Sequence, residues 1–230
     1  MECIYSEKLT GDIDFIEISG SEAKHLHVLR MQAGNTINIS NGKGLLADAI
    51  IENCSKKSFN CQILKLHKYK GELPAKLDIA FGILSDRNRQ EFLIEKCTEL
   101  GATNFMPLIT EHSQKSRINM SRLNSKALSA MKQCKRSVLP KLFQPITLKY
   151  LLSNITDHDN IILADEKGEI PENTTLNGTT LIFTGPEGGF SKSELELINK
   201  MEPIKWNLGN RRLRAETAAI FAAGIASIKI

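Results

Sequence analysis

Between His112 and Thr156 the chain contains no aspartate or glutamate. The same interval carries Lys115, Arg117, Arg122, Lys126, Lys132, Lys135, Arg136, Lys141 and Lys149, an imbalance that the overall formal charge of +4 conceals. An acid-free basic stretch of this length is what a protein that meets phosphates presents; a solvated, lysine-coated helix face has the same composition. Long apolar runs are also absent. The least polar stretch, Thr217 to Ile228, is alanine-rich and far too short to span a bilayer, so it reads as a packed helix and no membrane partner is expected. Met1 to Glu7 lacks the charged and apolar regions of a secretory signal, which makes the cytoplasm the expected location. The cysteines at 3, 54, 61, 97 and 134 are odd in number and irregularly spaced, with no Cys-x-x-Cys and no paired histidines beside them. That pattern argues against a disulfide framework or a zinc site and points to reduced, mainly buried thiols. With 41% hydrophobic and 24% charged residues, the 230-residue chain has an ordinary soluble composition, compatible with one large domain or two small ones.

Organisation along the chain favours two. From Met1 to about Tyr69, short β-type runs at Asp14 to Ile18, Thr36 to Ser40, Leu45 to Ile51 and Ser58 to Leu64 alternate with turn signals, a spacing that predicts a small β-barrel. Asn41-Gly42 suits a tight hairpin turn because both residues tolerate positive φ. One short helix is predicted over Ser21 to Arg30. Residues 71–74 read as a linker between a domain at 1–70 and a second at 75–230. Beyond it, a strand over Leu77 to Leu84, a helix over Arg89 to Leu100 ended by Gly101, and a strand over Asn104 to Ile109 form a βαβ unit, so a mainly parallel sheet is expected. A helix over Ser121 to Arg136 follows, then a loop punctuated by Pro140 and Pro145. Further strands are predicted at Asn160 to Ala164, Thr180 to Thr184 and Ile204 to Leu208.

The most informative residues are two loops, Gly185-Pro186-Glu187-Gly188-Gly189-Phe190 and the stretch from Leu208-Gly209-Asn210-Arg211-Arg212-Leu213-Arg214 to Ala215-Glu216-Thr217-Ala218. Each follows a predicted buried strand and precedes a predicted helix, the junction where α/β proteins place ligands. Ser191 and Glu194 form a potential capping box, with Phe190 and Leu195 as a staple, so the first loop is expected to be held rigidly. Neither loop is a Walker motif or a Gly-x-Gly-x-x-Gly fingerprint, which makes a nicotinamide oxidoreductase a poor alternative. Glycines at a strand's end let a ligand touch backbone N–H and C=O groups directly. One such loop is most simply a tight turn; two at similar junctions favour binding.

Taken as full strings, Gly-Pro-Glu-Gly-Gly-Phe followed by Leu-Gly-x-Arg-x-Leu-Arg-x-Glu-Thr-Ala closely resembles the signature of the RsmE family of SPOUT-class RNA methyltransferases, which methylate N3 of a uridine in 16S ribosomal RNA of the small subunit. The resemblance covers nearly the whole chain. It extends to His25, Val28-Leu29-Arg30 and Gly34, to Lys96 with Glu99-Leu100-Gly101, and to Gln133, Arg136 and Pro140. It implies an α/β fold class with an N-terminal PUA-like β-barrel and a C-terminal SPOUT domain threaded as a trefoil knot. S-adenosylmethionine would lie bent in that knot, held near Thr184, Gly185, Glu187, Gly189, Leu208, Gly209, Leu213, Thr217 and Ala218. A homodimer and a 16S rRNA or small-subunit partner are implied, with no metal. The alanine run Ala218 to Ala226 fits close helix approach in such a dimer and ordinary core packing equally. The chain departs from the family pattern at Asn210, Arg212 and His112.

Uridine N3 carries a proton at neutral pH, so its methylation calls for a base or for cationic stabilisation of a developing uridinate. Arg214 is the expected stabilising cation. Glu216 and Glu187 are potential proton acceptors, though a helix-capping role for Glu216 and a loop-holding role for Glu187 come first. His25, Arg30, Lys132, Lys135 and Arg136 are expected to contact RNA; His25 and His27 without a third ligand do not make a metal site. The rival reading from another class is a ribosome-assembly module that binds RNA without catalysis.

Overall fold

The computed structural model describes residues 1–113, 118–155, 158–172 and 174–230, so Lys115 and Arg117 of the basic stretch lie outside the described residues. The fold is mixed α/β and divides into two compact units, one made of Met1–Glu72 with Leu128–Leu139 and the other of Leu73–Ala127 with Pro140–Ile230.

The first unit contains β1 (Glu2–Tyr5), β2 (Phe15–Ser19), α1 (Gly20–Val28), β3 (Thr36–Ser40), β4 (Leu45–Cys54) and β5 (Ser58–Lys68). Its five strands form one sheet in the order β1-β3-β4-β5-β2. β1 runs parallel to β3, and the remaining pairs are antiparallel. β1 has no turn signal of its own and was not visible in the sequence pattern. Ile4, Ile18, Leu26, Ile37, Ile39, Ile51 and Phe59 build a core that α1 covers. The turn between β3 and β4 differs from the expected two-residue hairpin. Gly42 and Gly44 adopt positive φ, at +66° and +103°, and Asn41 does not. Asn41 acts through its side chain instead, its Oδ1 accepting from the backbone N–H of Lys43 at 2.8 Å and Leu45 at 3.0 Å, an Asx-type turn.

The second unit is built on β6 (Leu77–Gly82), α2 (Arg87–Glu99), β7 (Asn104–Ile109), α3 (Met120–Gln133), β8 (Lys141–Leu142), β9 (Ile146–Thr147), α4 (Leu148–Asn154), β10 (Asn160–Glu169), β11 (Thr180–Thr184), α5 (Lys192–Asn199), β12 (Ile204–Trp206) and α6 (Ala215–Ser227). By residue grouping α3 is shared, its last turns counting with the first unit. The sheet order is β12-β10-β11-β6-β7-β8, with β9 also on β7, and every pair is parallel. The strands β6 and β11 are buried at every position, as a sheet covered on both faces requires. Parallel pairing also puts the C-terminal ends of β6, β11 and β12 on one edge.

Two short strands and α4 occupy the stretch expected to be a loop, because β8 and β9 each pair for only two residues and leave no readable alternation. α2 ends as predicted, in a Schellman arrangement: Gly101 N–H donates to Thr98 O and Ala102 N–H to Cys97 O, with Gly101 at φ +97°. α6 packs on α2, β6, β10 and β11, and its Ala219, Ala222, Ala223 and Ala226 are fully buried. The alanine run therefore serves the core of this chain. Cys3, Cys54, Cys61 and Cys97 form no disulfide. Burial pushes the Cys3 and Cys61 thiols up to about 12 and about 11, so neither is a nucleophile at neutral pH. Among the described residues no helix is long and apolar enough to cross a membrane.

Candidate active site

The loop at 185–190 leaves the C-terminal end of β11 and is packed too tightly for side chains at several points. A Cβ on Gly82, the last residue of β6, would stand 2.3 Å from Pro186 Cδ; one on Gly185 would stand 3.0 Å from Gly189 Cα; one on Gly188 would stand 2.9 Å from His112 Cβ. Gly189 adopts φ +71°. Steric exclusion thus explains these glycines without reference to any ligand, and it leaves main-chain groups as the surface of the loop.

Three braces fix this loop from outside. Glu187 Oε1 accepts from Ser85 N–H at 3.0 Å and from Ser85 Oγ–H at 2.7 Å, tying it to the connection between β6 and α2. Partial burial works against ionisation of Glu187, but the Ser85 hydrogen bonds and the charge of Arg89 outweigh it and hold the carboxyl below its ordinary value. His112 Nδ1–H donates to the carbonyls of Gly188 and Gly189, both at 3.1 Å. The capping box forms: Ser191 Oγ accepts from Glu194 N–H, and Glu194 Oε2 accepts from Ser191 N–H. The other oxygen of Glu194 accepts from Glu111 N–H at 2.9 Å. Sequence reading missed Ser85 and left His112 without a role, because neither partner lies within 70 residues of the loop.

The second loop leaves β12 under equally close control. β10 bulges so that Ala164 and Glu169 both stand opposite Trp206, and a Cβ on Gly168 would meet Lys205 O at 2.4 Å. The tail of β10 then holds Asn207: its N–H donates to Glu169 O and its Nδ2 to Glu166 O, each at 2.9 Å. Asn207 Oδ1 accepts from Gly209 N–H at 2.9 Å, with Gly209 at φ +109°. Leu208 and Leu213 are half-buried, while Arg211, Arg212 and Arg214 are exposed. Arg214 occupies the N-cap position of α6 without using its side chain to cap. Thr217 is exposed and Ala218 half-buried in the first turn of that helix.

Buried polar atoms at this edge lack partners. Thr184 Oγ1 at the end of β11, Trp206 Nε1 at the end of β12 and Glu216 Oε2 in the first turn of α6 make no hydrogen bond among the described residues. Native proteins pair nearly all such atoms, so each unpaired one calls for an explanation; Glu22 Oε2, Gln90 Oε1 and His158 Nδ1 share the condition elsewhere. A ligand that supplies donors and acceptors to the main chain of both loops fits this edge.

The residues expected to touch RNA are placed differently from one another. Arg136 is 2% exposed, and its Nε and Nη2 donate to Glu72 Oε2 at 3.0 and 2.6 Å. The guanidinium of Arg136, expected to contact phosphate, lies in a buried ion pair. Glu72, inside the expected linker, also accepts through Oε1 from the N–H groups of Ser137 and Val138, both at 2.9 Å. Lys132 Nζ donates to Glu22 Oε1 at 2.8 Å, and His25 Nε2 lies 3.1 Å from Glu2 Oε1. Arg30 and Lys135 are exposed.

Comparison with known proteins identifies the family. A family model described as an RNA methyltransferase domain matches residues 71–227, and one described as an RNA methyltransferase PUA domain matches residues 18–64. The ribosomal RNA small subunit methyltransferase E of Bacillus subtilis is 30% identical over 222 residues, covering 89% of this chain and 86% of that one. Its counterpart from Rickettsia conorii is 31% identical and covers 99% and 94%. A Legionella pneumophila protein described as a methyltransferase and solved with the cofactor SAM is 29% identical at a TM-score of 0.85, covering 98% of this chain and 96% of that one. With two thirds of its length matched by the methyltransferase model and relatives of this similarity along nearly its full extent, the chain belongs to the ribosomal RNA small subunit methyltransferase E family.

Proposed function

We propose that the protein transfers a methyl group from S-adenosylmethionine to N3 of a uridine in 16S ribosomal RNA. The observation that carries this reading is the pair of braced, glycine-lined loops at one sheet edge, where buried polar atoms await partners. When bound, S-adenosylmethionine supplies an electrophilic methyl group on a sulfonium. Main-chain groups of Thr184, Gly185, Gly189, Leu208, Gly209 and Leu213 hold it, with Thr217 and Ala218 closing the site from α6. Because the loops are held by Ser85, His112, Glu194 and the β10 tail, the chain orders little on binding, which favours positioning as the main source of acceleration.

Arg214 is the group assigned to the developing negative charge on the base. Its side chain is exposed at the start of α6, next to both loops in sequence or topology, and not committed to capping. Glu187 keeps the loop-holding role, since both hydrogen bonds to Oε1 come from Ser85. Glu216, buried with Oε2 unpaired, is the better proton acceptor.

RNA contact is assigned to Arg30 and Lys135. Each sits just past the end of its helix in left-handed conformation, at φ +55° and +57°, where glycine is the usual residue. Retaining a long cation there is compatible with use of the side chain by a phosphate as well as with the helix dipole. A homodimer is supported by Phe92 on α2 and Phe221 on α6, which are 47% and 48% exposed on adjacent helices. A trefoil knot is compatible with the insertion of β11 between β6 and the earlier β10, and with the return of α6 onto β6 and β11. The cytoplasm follows from the substrate.

Isothermal titration with S-adenosylmethionine, followed by transfer of labelled methyl to small ribosomal subunits and mapping of the modified nucleoside, tests the proposal. Binding with label at a uridine N3 supports it; RNA binding without cofactor affinity returns the protein to a non-catalytic assembly role.

A further inference from the structure

Arg89 is a cation in the first turn of α2, three residues after the Asp86 N-cap. The helix dipole disfavours positive charge there, so the position needs compensation. Acids supply it from three segments. Asp86 Oδ2 stands 3.9 Å and Glu216 Oε1 3.7 Å from Arg89 Nε, and Glu187 on the first glycine loop feels the same charge.

Of these acids Glu216 is the unusual one. It is 6% exposed, its contact with Arg89 is longer than a hydrogen bond, and Oε2 has no partner. A buried carboxylate so thinly compensated is costly unless a ligand completes it. It stands in the first turn of the helix that Arg214 opens. Other charged groups near α6 are spoken for or unpaired with it. Glu91, Glu95 and Glu99 of α2 pair with Arg122, Lys126 and Lys96, and Asp78 at the start of β6 pairs with His158. The charges on β10, Asp165, Glu166, Lys167 and Glu169, make no ion pair with Glu216 among the described residues.

We propose that Arg89 is a positioning residue for methyl transfer, orienting Glu216 so that Oε2 accepts the proton of the reacting base. The idea rests on the methyltransferase reading above. In the step, the N3–H proton passes to Glu216 Oε2. The pair freed on N3 forms the new bond to the methyl carbon, the carbon–sulfur bond breaks, and its electrons stay on sulfur. Water removes the proton from Glu216 afterwards.

The test is the pH dependence of kcat in Arg89→Met, Arg89→Lys, Glu216→Gln and the Arg89→Met/Glu216→Gln double variant, alongside calorimetric affinity for S-adenosylmethionine. Loss of the cation should lower kcat roughly tenfold and move the acid limb of the profile up by about one pH unit, with cofactor affinity changed much less. Arg89→Lys should restore most of both. Glu216→Gln should lose roughly a hundredfold or more, and adding Arg89→Met should cost little further, as for residues that act as a unit. An unmoved acid limb, or losses that multiply in the double variant, overturns the proposal. If Arg89→Met does not fold, Arg89→Gln carries the test in its place, with the same upward shift expected and no shift overturning the proposal. A wild-type protein that neither binds the cofactor nor methylates RNA would instead sink the underlying reading.

Discussion

The basic segment around α3 and the two glycine loops treat polar groups in opposite ways. Along α3 and just beyond it, cations have acids waiting. Arg122 pairs with Glu91, Lys126 stands 3.8 Å from both Glu91 and Glu95, Lys132 is 2.8 Å from Glu22, and Arg136 is 2.6 Å from Glu72. At the sheet edge, Thr184 Oγ1, Trp206 Nε1 and Glu216 Oε2 are buried and unpaired. The first region spends its charge on holding the protein together. The second leaves three buried polar atoms without partners among the described residues, the feature that the proposed cofactor site builds on.

The comparison breaks first at Glu72. Replacing it by Ala should destabilise the protein by about 3–5 kcal/mol, because a buried guanidinium and two backbone N–H groups lose their acceptor; thermal or urea unfolding measures this, and a loss below about 1 kcal/mol would return Arg136 to the ligand-binding candidates. Next is Arg214→Ala, expected to lower kcat about a hundredfold to a thousandfold with little change in cofactor affinity or melting temperature. Equal turnover would remove Arg214 from the chemistry.

Gly188→Ala probes the braced loop directly. The new methyl group must displace His112, so S-adenosylmethionine binding should weaken by about 1–3 kcal/mol, while Gly209→Ala strains backbone rather than a neighbour. Titration calorimetry of both separates crowding from conformation. A subtler contrast lies within the basic segment: Lys135→Glu should reduce the slope of log affinity for RNA against log salt by about one, whereas Lys132→Glu should act on stability through Glu22. Identical slopes in the two variants would erase the distinction between exposed and paired cations.

The smallest effect concerns pH. Glu187 has a depressed folded-state pKa, so its loop tie contributes stability above the unfolded carboxylate value and loses it as pH falls through the lower folded value. Wild type should hold cofactor affinity down to about pH 5 and lose it below the ordinary carboxylate range, and Glu187→Gln should flatten that acid limb. A steeper fall in the variant would assign the titration to another group.

Which features were legible in the chain follows from their range. The β6-α2-β7 unit, the capping box at Ser191 and Glu194, the Gly101 stop and the two glycine loops are local: turn sterics, helix capping and apolar runs act within a few residues. The candidate site was legible for the same reason, since loop strings carry it. Two-residue strands such as β8 and β9 have no period to read, and Asn41 looked like a positive-φ residue although its side chain does the turning.

Sequence alone therefore determined where the two glycine loops lie, because steric demands for glycine are written residue by residue, and the resemblance of their full strings pointed to the family. Only the tertiary structure decided which charges are available. Lys132 meets an acid 110 positions away and Arg136 one 64 positions away, and Coulomb attraction depends on distance through space, about which order along the chain says nothing.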